Sequence, residues 1–169
     1  MKILETSVTW QPRETRDLKV PKALRKRWDG RRTLATEWRD KYPELIRDVD
    51  YALTERQPRA HFHEWYAAID YWSAGYHVLI EKYFLKKRRS DVYPIYRAIV
   101  GDEVVTAIDH AGSQPPDLLV YDPHGVREWF FAEAKSASER FTKGQLVLFP
   151  RLEELTDRPI QVVRIRIES

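Results

Sequence analysis

The sequence predicts an α/β fold in which a central sheet is covered by helices. Three observations carry that expectation. Residues 115–135 read as a β-hairpin whose second arm, Trp129-Phe130-Phe131-Ala132, is apolar on both faces, as in a strand covered on both sides. Residues 44–53, 64–74 and the stretch after Thr142 place apolar side chains at helical spacing. Residues 160–167 set Ile160 and Val162 against Gln161, then Ile165 and Ile167 against Arg164 and Arg166, the pattern of a half-exposed closing strand.

Composition narrows the classes. A chain of 169 residues suits one domain with an arm and can bury a core. Hydrophobic residues make up 43% and aromatics 12%, a globular balance. No apolar run approaches the roughly 18 residues of a membrane helix, and Met1-Lys2-Ile3-Leu4-Glu5 lacks a signal-peptide core. With no cysteine, disulfides and thiolate metal sites are excluded, which leaves oxygen or imidazole ligands. A cytoplasmic protein is expected. Residues 1–60 hold 15 Lys/Arg against 10 Asp/Glu, while residues 61–169 hold 14 against 16. The N-terminal excess is either a solvated helical surface or a basic arm that meets a polyanion.

Taken in order, residues 1–20 read as irregular, with a short strand at Val8-Thr9-Trp10 broken by Pro12. Pro21 opens one or two helical turns to Trp28. Asp29-Gly30 is a turn, residues 33–40 are a short helix and residues 44–53 a third. Trp28 and Trp38 either stack on bases or, more commonly for such residues, dock the arm on the core. His61 and His63 could be metal ligands but lack a third partner at metal-site spacing. Glu64 to Ala74 is an aromatic-rich helix ended by Gly75, and residues 76–84 are a strand, with a continued helix as its rival. Lys86-Lys87-Arg88-Arg89 is the densest basic run, either a solvated loop or a phosphate contact. Tyr93–Val100 and Glu103–Ile108 read as two further strands turned at Gly101-Asp102. Asp109 and His110 lie close to the hairpin without an assigned role. Thr142 and Gln145 have capping-box spacing, and Pro150 implies a kink or restart in the helix that follows.

The charges in the hairpin are its anomaly. Trp129, Phe131, Glu133 and Lys135 share one face of the second arm, and Phe130, Ala132 and Ala134 the other. A carboxylate and an ammonium on a covered strand are costly to desolvate unless paired, solvated in a cleft or bound to a metal. Asp117 opens the first arm, so pairing brings its carboxylate towards Glu133. Two carboxylates and a lysine converging at strand ends suit a hard divalent cation with a charged assistant.

Pro116-Asp117 followed by Glu133-Ala134-Lys135 resembles the PD-(D/E)xK signature of the restriction-endonuclease-like nuclease superfamily. The order of a PD strand, an ExK strand, a helix with Gln145 and a closing strand is most similar to VRR-NUC and Holliday-junction-resolvase-like members. The resemblance covers about residues 60–169. It implies a restriction-endonuclease-like core with a central mixed β-sheet over residues 61–169, and a basic, mainly helical arm over 1–60. It also implies Mg²⁺, with Mn²⁺ as substitute, held by Asp117, Glu133 and the Ala134 carbonyl. Glu64 is the extra acidic ligand, or Glu81 if the preceding helix runs on through residue 85. Lys135 would stabilise developing charge or orient the attacking water, and Gln145 would orient the site. Lys86, Lys87, Arg88, Arg89 and Lys143 would hold phosphates. The implied activity is hydrolysis of DNA phosphodiesters by an (endo)deoxyribonuclease; with no helix-turn-helix or zinc-finger reader in the sequence, structure selectivity or a partner's guidance is expected rather than a long recognition sequence. The setting is a homodimer or a larger nucleic-acid-processing assembly, with no membrane partner. The competing class is a non-catalytic nucleic-acid-binding or assembly module that retains the fold, and a third reading is an enzyme for another phosphate ester.

Overall fold

A computed structural model describes residues 9–28, 32–125 and 128–169. Twelve elements are assigned among them: β1 (Glu14–Val20), α1 (Lys22–Trp28), α2 (Thr33–Lys41), α3 (Asp48–Arg56), α4 (Phe62–Ser73), β2 (His77–Ile80), α5 (Tyr93–Val100), α6 (Asp102–His110), β3 (Leu118–Tyr121), β4 (Trp129–Ser136), α7 (Lys143–Thr156) and β5 (Gln161–Ile167). The five strands form one mixed sheet in the order β1-β5-β4-β3-β2. β2–β3 and β3–β4 are antiparallel, whereas β4–β5 and β1–β5 are parallel.

The alternation along the strands divides two cores. Leu118, Val120, Ala132 and Ala134 face Trp28, Trp38, Phe62, Trp65 and Tyr71 from α1, α2 and α4. Leu119 and Phe131 face Tyr96, Val105, Ile108, Phe149 and Leu152 from α5, α6 and α7. The hairpin is therefore central and covered on both sides, as its two apolar faces require. His124 N–H donates to Asp122 Oδ1 at 2.8 Å in its connection, a local side-chain bond that turns the chain.

The described part of the arm expected over residues 1–60 packs into the domain. β1 pairs with β5 along its whole length, and Arg16 ion-pairs with Asp70 of α4 at 2.6 Å. Trp28 is 1% exposed, packs against Trp38, Phe62 and Trp65, and donates from Nε1 to the Ala60 carbonyl at 2.9 Å. Both tryptophans are docking residues.

Several local expectations are corrected. Residues 14–20 are a strand and not irregular chain, while Thr9 and Trp10 are in no strand and Val8 lies outside the described residues. The turn expected at Asp29-Gly30 also lies outside them. The third helix is displaced to Asp48–Arg56, after a turn at residues 43–45. The strand expected over 76–84 stops at Ile80, because Glu81 and Lys82 take positive φ (37° and 55°) and turn the chain away. The two strands expected at 93–100 and 103–108 are the helices α5 and α6. Their buried side chains, Val92, Tyr96 and Val100, then Val104, Val105 and Ile108, follow helical spacing, and Pro94 sits at a helix start. α7 runs through Pro150 without a break.

Candidate active site

The register of the hairpin sets the two motif carboxylates opposite each other. Leu118 pairs with Ala132, so Asp117 lies one step beyond the ladder, across from Glu133. Backbone donors hold both carboxylates: Asp117 N–H donates to Glu133 Oε1 at 2.9 Å, and Ala134 N–H donates to Asp117 Oδ2 at 3.1 Å. Tyr83, fully buried, donates its hydroxyl to the Pro116 carbonyl at 2.6 Å and fixes the approach to Asp117.

Lys135 lies two residues beyond Glu133 on the same face and is 3% exposed. Its Nζ donates to Gln145 Oε1 at 2.9 Å and to Glu139 Oε2 at 3.2 Å, with Glu133 Oε2 at 3.6 Å. The Phe141 ring lies 5.3 Å from the ammonium. Gln145 caps α7 and also bonds to the charged residues of β4. Its Oε1 accepts from Thr142 N–H at 3.0 Å, while Thr142 Oγ1 accepts from Gln145 N–H at 3.2 Å, closing the capping box of α7. Its Nε2 donates to Glu133 Oε2 at 2.5 Å. The helix start is thus tied to both charged residues of β4.

Glu64 enters from the first turn of α4 and Glu81 from the end of β2. Glu81 N–H donates to the Asp117 carbonyl at 2.7 Å, extending the β2–β3 contact by one step. The alternatives for the extra acid, posed as one or the other, are both present: Glu64, Glu81 and Asp117 line one cavity of about 280 Å³ with His61. His61 Nδ1 lies 2.6 Å from Glu81 Oε2. The sequence reading missed the combination of His61 with Glu81, because its members are twenty residues apart and meet only where β2 ends beside α4. It also missed Glu139, the only signal for which was a polar stretch after Lys135.

This gathering of acids raises proton affinity. Burial pushes Asp117 well above the usual carboxylate range, reinforced by the charges of Glu133 and Glu64, by a hydrogen bond to Glu133 and by the charge of Glu81. Burial also lifts Glu64 to about 7, with Glu81 adding repulsion. Burial raises Glu133 too, and its bonds to Asp117 together with the charge of Lys135 offset only part of the effect. Burial would lower His61, but the hydrogen bond and charge of Glu81 outweigh it and raise the imidazole. Burial and mutual repulsion make Asp117, Glu133 and Glu64 harder to ionise.

The basic run divides. Lys86, Lys87 and Arg88 are exposed, as is Lys143 at the start of α7. Arg89 is corrected: it is 1% exposed and does not face solvent. Its guanidinium donates to Asp50 Oδ1 at 2.9 Å, to Asp91 at 3.1 and 3.3 Å, and to the carbonyls of Ile80 and Glu81 at 3.0 and 2.9 Å. Arg89 holds the chain where β2 ends, and so holds the backbone that presents Glu81.

No protein-family model matches the chain, and neither a curated protein nor a solved structure matches it. No helix among the described residues is long and apolar enough to cross a membrane.

Proposed function

We propose that the protein is a divalent-metal-dependent nuclease that hydrolyses phosphodiester bonds in DNA, with a restriction-endonuclease-like core and a PD-(D/E)xK-type centre. The observation that carries this reading is the meeting of Asp117 and Glu133 across adjacent strands, with Lys135 and Gln145 bonded into the same network. The element order supports it: helix α4, strand β2, helices α5 and α6, the PD strand β3, the ExK strand β4, helix α7 with Gln145, and the closing strand β5.

The residues present fit a hard cation. The donors are carboxylate and carbonyl oxygens, and the burial and acid–acid repulsion that lift Asp117 and Glu64 are what a divalent ion relieves. Asp117, Glu133 and the Ala134 carbonyl would hold Mg²⁺, or Mn²⁺ in its place, with Glu64 contributing from α4. When bound, the ion supplies Lewis acidity, neutralising a phosphate oxygen and lowering the pKa of water.

The chain's own groups do the rest. Glu133 and Asp117 are pre-aligned by backbone N–H donors, so they need no reorganisation to act as ligands. Lys135 sets a positive charge beside Glu133, where it stabilises charge developing on the phosphate. Gln145 couples the position of Lys135 to that of Glu133. Lys86, Lys87, Arg88 and Lys143 hold flanking phosphates by charge, without base readout.

The test is cleavage of supercoiled plasmid, linear duplex, single strand and a four-way junction with Mg²⁺, Mn²⁺ or EDTA, beside Asp117→Ala and Lys135→Ala. Metal-dependent cutting lost in both variants is expected, and the preferred substrate would name the subclass. Binding without cutting in either metal would move the assignment to a non-catalytic nucleic-acid module. Cutting that survives both substitutions would place the site elsewhere.

A further inference from the structure

We propose that His61, Glu64 and Glu81 form a second divalent-metal site, adjoining the Asp117–Glu133 centre in the cavity that Asp117 also lines and sharing Glu64 with it, and selective for Mn²⁺ over Mg²⁺. One ligand atom from each of the three lies within 4.8 Å of the others. Two donors on opposite sides of one ion are roughly 4.2 Å apart at typical ligand distances, so small side-chain movements bring all three onto one ion. The set combines an imidazole with two carboxylates. Imidazole favours Mn²⁺, Co²⁺ or Zn²⁺ over Mg²⁺, which prefers oxygen and retains its water.

Three features show a built site beyond a cluster of acids. Glu64 receives no hydrogen bond or ion pair from another side chain among the described residues, and its carboxylate lines the 280 Å³ cavity with the other two donors. The Glu81 backbone is held from two sides, by its N–H on the Asp117 carbonyl and by Arg89 on its own carbonyl. The His61 ring is oriented by Gln57, whose Oε1 lies 2.9 Å from Nε2. Gln57 on one nitrogen leaves the other for a ligand, the usual arrangement of a metal-binding histidine.

His61 Nδ1 and Glu81 Oε2 lie 2.6 Å apart, the spacing of a hydrogen bond through a single proton. A divalent ion replaces that proton, and Gln57 keeps its hold on Nε2–H throughout. No oxidation or group transfer is involved. The inference stands on ion binding and not on cleavage, although a nuclease at Asp117 and Glu133 would have this second ion beside it.

The experiment is Mn²⁺ titration of the full chain in saturating Mg²⁺, read by pulsed EPR, in which a nitrogen modulation reports imidazole coordination. One Mn²⁺ with nitrogen coupling is expected to survive Mg²⁺ competition. His61→Asn, chosen because asparagine tolerates the left-handed backbone at φ 73°, should abolish the nitrogen signal. It should also weaken Mn²⁺ by at least about tenfold, and Glu81→Gln should weaken it comparably, while His63→Asn changes neither. Mn²⁺ bound without nitrogen coupling, full displacement of Mn²⁺ by Mg²⁺, or coupling that persists in His61→Asn would each overturn the proposal. The wild-type spectrum decides even if a variant fails to fold. Nitrogen-bound Mn²⁺ in a chain that cuts nothing would refute the nuclease reading alone; Mg²⁺-dependent cutting with no such Mn²⁺ would refute this one alone.

Discussion

Arg89→Met should destabilise the protein by about 4 kcal/mol at pH 8, a cost out of reach of a solvated basic loop. The side chain is 1% exposed, and its principal partner Asp50 is 2% exposed. Removing one member of a buried pair costs about 3–5 kcal/mol. The carbonyls of Ile80 and Glu81 lose a donor as well, at about 1–3 kcal/mol for each left unsatisfied, and the buried methionine chain recovers part of this. Burial already lifts Asp50 to about 6, against the lowering by Arg89. Without the guanidinium the carboxyl rises further and takes a proton. An acid raised in the folded state stabilises below its unfolded pKa and loses that contribution as pH rises through the folded value. The penalty should therefore be smaller at pH 5 than at pH 8. Urea unfolding is the assay: with a slope of about 2 kcal/mol per molar, the midpoint should fall by about 2 M at pH 8. A fall below about 0.5 M, equal at both pH values with unchanged slope, would refute the buried-latch account.

Three further outcomes are expected. Asp117→Asn removes a costly buried charge while keeping a carbonyl to accept from Ala134 N–H, so the metal-free variant should melt a few degrees higher at pH 8 yet lose metal-dependent cleavage; a lower melting point would contradict this. Glu64, raised from 4.5 to about 7, contributes stability that is complete below 4.5 and lost as pH rises through 7, up to about 3 kcal/mol. Mg²⁺ should accordingly raise the melting temperature more at pH 8 than at pH 5, and an equal gain at both would count against the carboxylates as ligands. Trp28→Ala should cost about 3–5 kcal/mol in chemical denaturation through the lost ring packing and the Ala60 bond, and a near-neutral result would return Trp28 to the surface.

The parts legible in the sequence were those with local chemistry. The covered hairpin announced itself by two apolar faces, α7 by Thr142 and Gln145, and α4 by its aromatic stripe. The segments 93–100 and 103–108 misled because Ile, Val and Tyr are strand formers, and tertiary packing on Leu119 and Phe131 overrode that preference. β1 was illegible for the opposite reason. As an edge strand it buries only Val20 fully, and Glu14, Asp17 and Lys19 remain exposed. Of the site, Asp117, Glu133 and Lys135 meet as the hairpin spacing suggested, and Gln145 bonds to Glu133 and Lys135. His61 joins Glu81 only through the turn after Ile80, which no periodicity encodes. Arg89 differs from its three basic neighbours by burial alone, a property absent from a run of four cations.

The parallel contact of β1 with β5 has a consequence for how the molecule is made. Gln161 of β5 bonds Glu14 of β1 across 147 residues of sequence, so β1 leaves the ribosome long before its partner exists. A parallel pairing at such separation is slow to form, and a waiting strand edge is a template for wrong partners. Glu14, Arg16, Asp17 and Lys19 put charge along that edge, which disfavours pairing with a wrong strand before β5 arrives.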